Sequence, residues 1–370
     1  MRDGVYGRGV PVATGMLPGG CATMAGMHSS PLPRAIFIGI LALFLLGGAR
    51  RPVPWLAAPR LPALCALGVC AGPSACNERP APAPRRSISR RQTLRTVFLI
   101  VLENHNWSSF AGNASAPYLN RTLLPLASRA AQDYNPPGLH PSLPNYLWLE
   151  AGSNCGVLDD GPPSGNHQGT THHLVTLLSR VGISWRAYEE SISGTSCPLV
   201  DAYPYAPKHD PFVYFDDVTA HNNPRAATCI AHIRPYAELA TAVRQNTVAR
   251  YNVITPNLCD DGHDSCPPLN DPVKQTDTWL SHAVPPILRS AAYRHGGVVF
   301  ITWDEGENGA DGPIGLLALS PEAKGHGYAT TIHYTHSSLL RTVQEIFGVT
   351  PLLGDARHAT DLRALFKTFP

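Results

Sequence analysis

From residue 96 onward, short apolar runs alternate with segments of helical period. The run 97–102 (VFLIVL) has no polar alternation, as expected of a strand buried on both faces. It ends abruptly on Glu103-Asn104-His105. Residues 118–131 (YLNRTLLPLASRAA) read as helix, and 173–181 (HLVTLLSRV) as a short helix closed by Gly182. Strands are predicted at 183–189 and 250–256, and 297–303 (GVVFITW) is the clearest core strand. A further strand falls at 315–319, with helices at 278–292 and 337–347, the latter closed by Gly348. Between them, 194–235 is a long proline-rich excursion.

Strands alternating with helices imply an α/β domain with a largely parallel sheet. In such sheets ligands bind beyond the carboxyl ends of the strands. Polar clusters follow three of these strands: Glu103-Asn104, Asp260-Asp261-Gly262-His263, and Asp304-Glu305. That shared position marks a site. No internal repeat or coiled-coil heptad interrupts the pattern.

Composition narrows the function. Of 370 residues only 15% are charged and the formal net charge is +2, with no basic block, which argues against nucleic-acid binding by phosphate neutralisation. The 36 prolines and 32 glycines imply many loops, and 16 histidines beside acids hint at metal or phosphate chemistry. Residues 1–95 differ from the rest. They are Pro/Arg/Ala-rich, hold Cys21, Cys65, Cys70 and Cys76, and carry apolar runs at 35–46 and 61–75. The first run has the length of a signal-peptide core and is short for a membrane span. The expectation is a signal or targeting segment over 1–95, either a signal peptide or a retained anchor, a catalytic domain over 96–370, and export to the periplasm, cell surface or medium. Cys155, Cys197, Cys229, Cys259 and Cys266 lie in loop-like text, as in an oxidising compartment. Cys197 with Cys229 and Cys259 with Cys266 are natural pairings, leaving one over. No CxxC pair favours a zinc-thiolate site.

Adjacent carboxylates such as Asp304-Glu305 repel unless a cation or shared proton compensates, and a divalent ion with oxygen ligands (Mg, Ca, Mn or Zn) does so. Glu103 and Asn104 offer two more oxygens. His263 has acids on either side that can orient its ring. Lys208-His209 suits an anionic oxygen, and His336 opens a helix, where anions bind. Ser142, in Gly138-Leu-His-Pro-Ser-Leu-Pro-Asn-Tyr146, also stands at a helix start, with Pro144 in the first turn. Read alone, Ser142 is an N-cap, as is Ser337 beside His336. Next to a metal, the Ser142 hydroxyl can instead act as a nucleophile.

The ordered series ValLeuGluAsnHisAsn, HisProSerLeuProAsnTyr, SerTrpArgAlaTyrGluGlu, TyrAlaProLysHisAspProPhe, ThrProAsnLeuCysAspAspGlyHisAsp, AspThrTrpLeu, IleThrTrpAspGluGly and TyrThrHisSerSerLeuLeuArgThr spans about 97–350. It resembles the phosphoesterase family of bacterial acid phosphatases and phospholipases C, in the alkaline-phosphatase-like superfamily. The resemblance implies a three-layer α/β/α sandwich that hydrolyses phosphoric esters through a phosphoserine. It implies Ser142 as nucleophile, with Glu103, Asn104, Ser142, Asp304 and Glu305 holding one divalent metal. His209 and His263 would contact phosphate or protonate the leaving group, with Lys208 and His336 as further phosphate contacts. Asp304-Glu305 stands where two-zinc members carry Asp-His, which favours a single metal. The expected substrate is a small phosphate ester. The alternative is a phospholipase C or other phosphodiesterase, with transient membrane contact through the aromatics of 194–235. A non-catalytic binding protein would have lost these ligands. A sulfatase would need an arginine where Tyr146 stands.

Overall fold

The computed structural model describes residues 94–370 apart from 308–311. The two N-terminal apolar runs, with their four cysteines and the targeting expectation, lie outside the described residues. Ten strands are β1 (Thr96–Leu102), β2 (Ser128–Ala130), β3 (Asp133–Tyr134), β4 (Trp185–Glu189), β5 (Ile233–Pro235), β6 (Tyr251–Thr255), β7 (Gly297–Trp303), β8 (Leu316–Leu319), β9 (Ala329–Thr330) and β10 (Tyr334–Thr335). Eight of them form one sheet in the order β5-β4-β6-β1-β7-β8-β2-β9, and β10 pairs with β3. Every pairing in the large sheet is parallel except β7–β8 and β8–β2.

β1 shows why the sheet is central. Its successive side chains point to opposite faces, and both faces are covered. Val97, Leu99 and Val101 join a core with helices α1 (Ser142–Ala151), α2 (Leu174–Arg180) and α5 (His336–Phe347). Phe98, Ile100 and Leu102 join a second core with α3 (Ala237–Gln245) and α4 (Pro272–Arg289). The result is the expected α/β/α layering. Removing Phe98, which is fully buried, would cost about 3–5 kcal/mol as Phe→Ala.

Two expectations are corrected. The helix expected over 118–131 is a helical stretch over 119–126, after which Ser128–Ala130 joins the sheet as β2. Strand pairing overrides helical propensity there. The helix expected from residue 278 begins at Pro272, because Asp271 caps it by accepting from Lys274 N–H at 3.0 Å and proline suits the first turn. Both expected disulfides form, Cys197–Cys229 and Cys259–Cys266. Cys155 is in neither.

Candidate active site

Strand register assembles the site. Leu102 lies opposite Trp303, so Glu103 and Asp304 leave neighbouring parallel strands side by side. Asp304 N–H donates to Leu102 O, and Glu103 N–H donates to Asp261 O, each at 2.9 Å. The loop after β6 is thereby tied to the same edge. Gly262 makes this approach feasible: its φ is +107°, and a Cβ would meet Thr276 Oγ1 at 3.0 Å and Glu103 O at 3.3 Å. Asn104 turns the chain with φ 42°, a conformation that asparagine tolerates better than most residues. Its N–H donates to Asp304 Oδ1 at 3.1 Å.

Ser142 opens α1, but it does not cap the helix. The N-cap position is Pro141, and no side chain of that residue bonds the first turn. The Ser142 hydroxyl donates instead to Glu103 Oε2 at 3.0 Å. Asn145 Nδ2, one turn on, donates to Glu305 Oε2 at 2.9 Å, and His140 Nδ1 lies 2.8 Å from the same oxygen. Helix α1 thus presents the hydroxyl and fixes Glu305 together.

The carboxyl groups are crowded and dry. Burial pushes Glu103 upward against the pull of His263. It holds Asp304 well above the usual range, with Glu103 adding to the effect. Burial raises Glu305 to about 9, and repulsion from Asp304, Glu103 and Asp160 contributes. Asp261 is raised by burial to about 7. Glu103 Oε1 and Asp304 Oδ2 are buried without a hydrogen-bond partner. The Asn104 side-chain oxygen faces only acceptors, 3.1 Å from Glu103 Oε2 and 3.2 Å from Glu305 Oε1, and turning the amide over would make both into hydrogen bonds. Orphaned oxygens and converging acceptors fit a divalent cation, which would let these acids ionise together. Glu103, His209 and His263 also bring one donor atom each to within 4.8 Å of one another.

The histidines divide. His209 is buried between two carboxylates, with Nε2 3.2 Å from Glu103 Oε2 and Nδ1 3.2 Å from Asp261 Oδ2. Its ring stacks on Tyr146 at 5.2 Å between centroids. His263 Nε2 lies 3.2 Å from Lys208 Nζ, and its Nδ1 lies 2.8 Å from Asp264 Oδ1. His336 is placed differently from the expected phosphate contact. It is fully buried, its Nε2 lies 2.6 Å from Asp304 O, and burial lowers it to about 4. A neutral ring there donates to the carbonyl and braces the Asp304 backbone. Nor does Ser337 cap α5. The N-cap is Thr335, and Ser337 Oγ accepts from Trp148 Nε1 at 2.8 Å.

A cleft of about 540 Å³ opens among Asn104, His105, His140, Gly262, His263 and Glu305. A larger open groove of about 1070 Å³, lined by Arg186, Arg225 and Arg234 among others, lies along the β4–β5 edge. It gathers none of the acids and histidines just described. His140, Asn145 and Asp160 escape the sequence reading. Asn145 and His140 sit in the Ser142 motif and could have been flagged by it, whereas nothing in the text around Asp160 distinguishes it from an ordinary turn.

Residues 130–350 match the family model for the phosphoesterase family, and the chain belongs to that family. It is similar to a probable acid phosphatase of Kluyveromyces lactis, 29% identical over 286 residues, covering 73% of this chain and 62% of that protein. It thus spans less than two thirds of that relative. The phosphatidylinositol-3-phosphatase of Mycobacterium tuberculosis is 26% identical over 267 residues, covering 72% of this chain and 81% of that protein. A solved structure of an alkaline phosphatase superfamily protein from Vibrio parahaemolyticus superposes with a TM-score of 0.49 at 10% identity, covering 70% of this chain and 68% of that one.

Proposed function

We propose that this protein is an exported, metal-dependent phosphoric ester hydrolase of phosphatase type, with Ser142 as its nucleophile. The observation that carries this reading is the direction of the Ser142 hydroxyl. It is spent on Glu103 Oε2 within a buried acidic cluster rather than on the helix it opens. Family membership and the acid phosphatase names of relatives support the reaction class.

Glu103, Asn104, Ser142, Asp304 and Glu305 would hold the metal. A divalent cation bound there supplies the positive charge that makes a Ser142 alkoxide accessible near neutral pH. Ser142 Oγ attacks phosphorus, and its proton leaves along the hydrogen bond to Glu103. The bond from phosphorus to the ester oxygen breaks. The departing oxygen takes a proton from the Lys208–His263 pair. Lys208 steadies the phosphoryl oxygens as charge develops, and His209 fixes Glu103 from behind. Water then hydrolyses the phosphoserine, releasing phosphate and restoring the Ser142 hydroxyl. The two disulfides suit an oxidising compartment.

A monoester is the favoured substrate. The lipid reading needs exposed aromatics along 194–235, yet Tyr205, Phe212, Tyr214 and Phe215 are buried, while Tyr203 is 68% exposed. The mycobacterial relative's name makes a phosphoinositide monoester the lipid to try beside it. The test compares p-nitrophenyl phosphate, bis-p-nitrophenyl phosphate, phosphatidylcholine and a phosphatidylinositol phosphate, each with and without chelator. Monoester turnover that chelation abolishes and metal restores is expected. Turnover indifferent to chelator would contradict the metal, and preference for the diester or phosphatidylcholine would contradict the phosphatase assignment.

A further inference from the structure

Helix α1 begins Pro141-Ser142-Leu143-Pro144, so its own start supplies no capping side chain. The Leu143 N–H is satisfied from elsewhere: it donates to Asp160 Oδ1 at 2.9 Å. The second oxygen of that carboxylate, Oδ2, accepts from Lys208 Nζ at 2.9 Å, and Nζ in turn reaches His263 Nε2 at 3.2 Å. One carboxylate therefore joins the amide beside the nucleophile to the flexible cation of the site.

We propose that Asp160 is a positioning residue of the phosphoryl site, which tethers Lys208 to the rigid start of α1 and so holds its ammonium in place beside His263. This rests on the phosphoester hydrolase reading. A lysine side chain gives up much rotamer freedom when fixed, so an untethered ammonium would spend little time where a phosphoryl oxygen needs it. Asp160 is itself well anchored. The turn that carries it is braced by Asp159 Oδ1, which accepts from Gly161 N–H at 2.8 Å and from Asn166 Nδ2 at 2.6 Å. Tyr214 OH donates to Gly161 O at 3.0 Å. A cap alone would use one oxygen of the carboxylate. Here the second is committed to Lys208.

Asp160→Asn separates the two roles, because the amide oxygen can still accept from Leu143 N–H but the NH2 group cannot accept from Lys208. The affinity of the full-length protein for inorganic phosphate is measured by titration calorimetry for wild type, Asp160→Asn, Lys208→Met and the double variant. Steady-state turnover of p-nitrophenyl phosphate is measured alongside. Asp160→Asn is expected to weaken phosphate binding about tenfold, to match Lys208→Met, and to add nothing to it in the double variant. Asp160→Glu, which keeps a charged acceptor, is expected to recover part of the loss. The inference is overturned by wild-type or tighter phosphate binding in Asp160→Asn, or by losses that multiply in the double variant. Should Asp160→Asn fail to fold, Asp160→Glu with and without Lys208→Met is judged by the same rule of non-additivity. Absent wild-type turnover contradicts the hydrolase reading, whereas normal turnover with an unaffected Asp160→Asn contradicts this inference alone.

Discussion

Glu305 shows what the site demands of single residues. It receives Asn145 Nδ2 at 2.9 Å and His140 Nδ1 at 2.8 Å, yet burial and three neighbouring acids raise it to about 9. A carboxyl group raised in the folded state binds more protons there than in the unfolded chain, so it favours folding less as pH rises. The metal-free protein is therefore expected to lose melting temperature between about pH 4.5 and pH 9, and saturating divalent metal to remove much of that slope. In Glu305→Gln the metal-free slope should flatten and metal affinity should fall at least about tenfold. Calorimetric melting across pH, with and without metal, reads both. An unchanged slope in the variant would contradict the assigned crowding. The acids were legible in sequence because each follows a buried strand. His140 and Asn145 were marked only by their place in the Ser142 motif, and Asp160 not at all, since its role depends on which loop meets which helix.

At the scale of elements, α1 is held from several sides. Trp148 bonds Ser337 of α5, and Glu150 Oε1 lies 2.9 Å from His173 Nδ1 at the start of α2. His173 Nε2 lies 3.0 Å from Asp217 Oδ1 on the far side. Burial opposes the charge on His173, but Asp217 and Glu150 outweigh it and raise the ring to about 9. The sign follows directly: this stabilisation is fully present below about pH 6.5, the ordinary histidine value, and fades as pH climbs towards 9. His173→Gln should cost about 3–5 kcal/mol at pH 6, because it removes the cation that faces buried Glu150 and leaves that carboxylate only its bond from Val175 N–H at 2.7 Å, and noticeably less at pH 9.5. Denaturant melts at the two pH values check this, and an equal cost at both would refute it. Most of the helices and the core strands were readable from periodicity, but α3, which follows the proline-rich excursion, was not. Strand β2 was not, because Ser128-Arg129-Ala130 carries no strand pattern and is recruited by its partners β8 and β9. The start of α4 was missed for a local reason, since the Asp271-Pro272 cap precedes the apolar period.

For the molecule as a whole, the two disulfides pin loops that border the site. Cys259–Cys266 closes the segment that carries His263, and Cys197–Cys229 closes much of the excursion that carries Lys208 and His209. A loop of this second size contributes about 3–4 kcal/mol through the unfolded chain. Reduction should therefore lower the melting temperature by several degrees and reduce turnover. No loss of melting temperature on reduction would show that the bridges do not form in the purified protein. Among the described residues no helix is long and apolar enough to cross a membrane. The α/β character and the largely parallel sheet were legible in the alternation of apolar runs, whereas the α/β/α layering and the proposed reaction class came only with the resemblance that the ordered motifs carry. The tether from Asp160 to Lys208 emerges only when the chain is folded.

The covalent scheme is tested most directly by acid-quenching the protein during turnover of p-nitrophenyl phosphate and mapping phosphoryl groups by peptide mass spectrometry. Phosphoryl is expected on Ser142, in the peptide that opens α1, with both label and turnover lost in Ser142→Ala. Turnover that survives in Ser142→Ala, or proceeds with no label on Ser142, would contradict it.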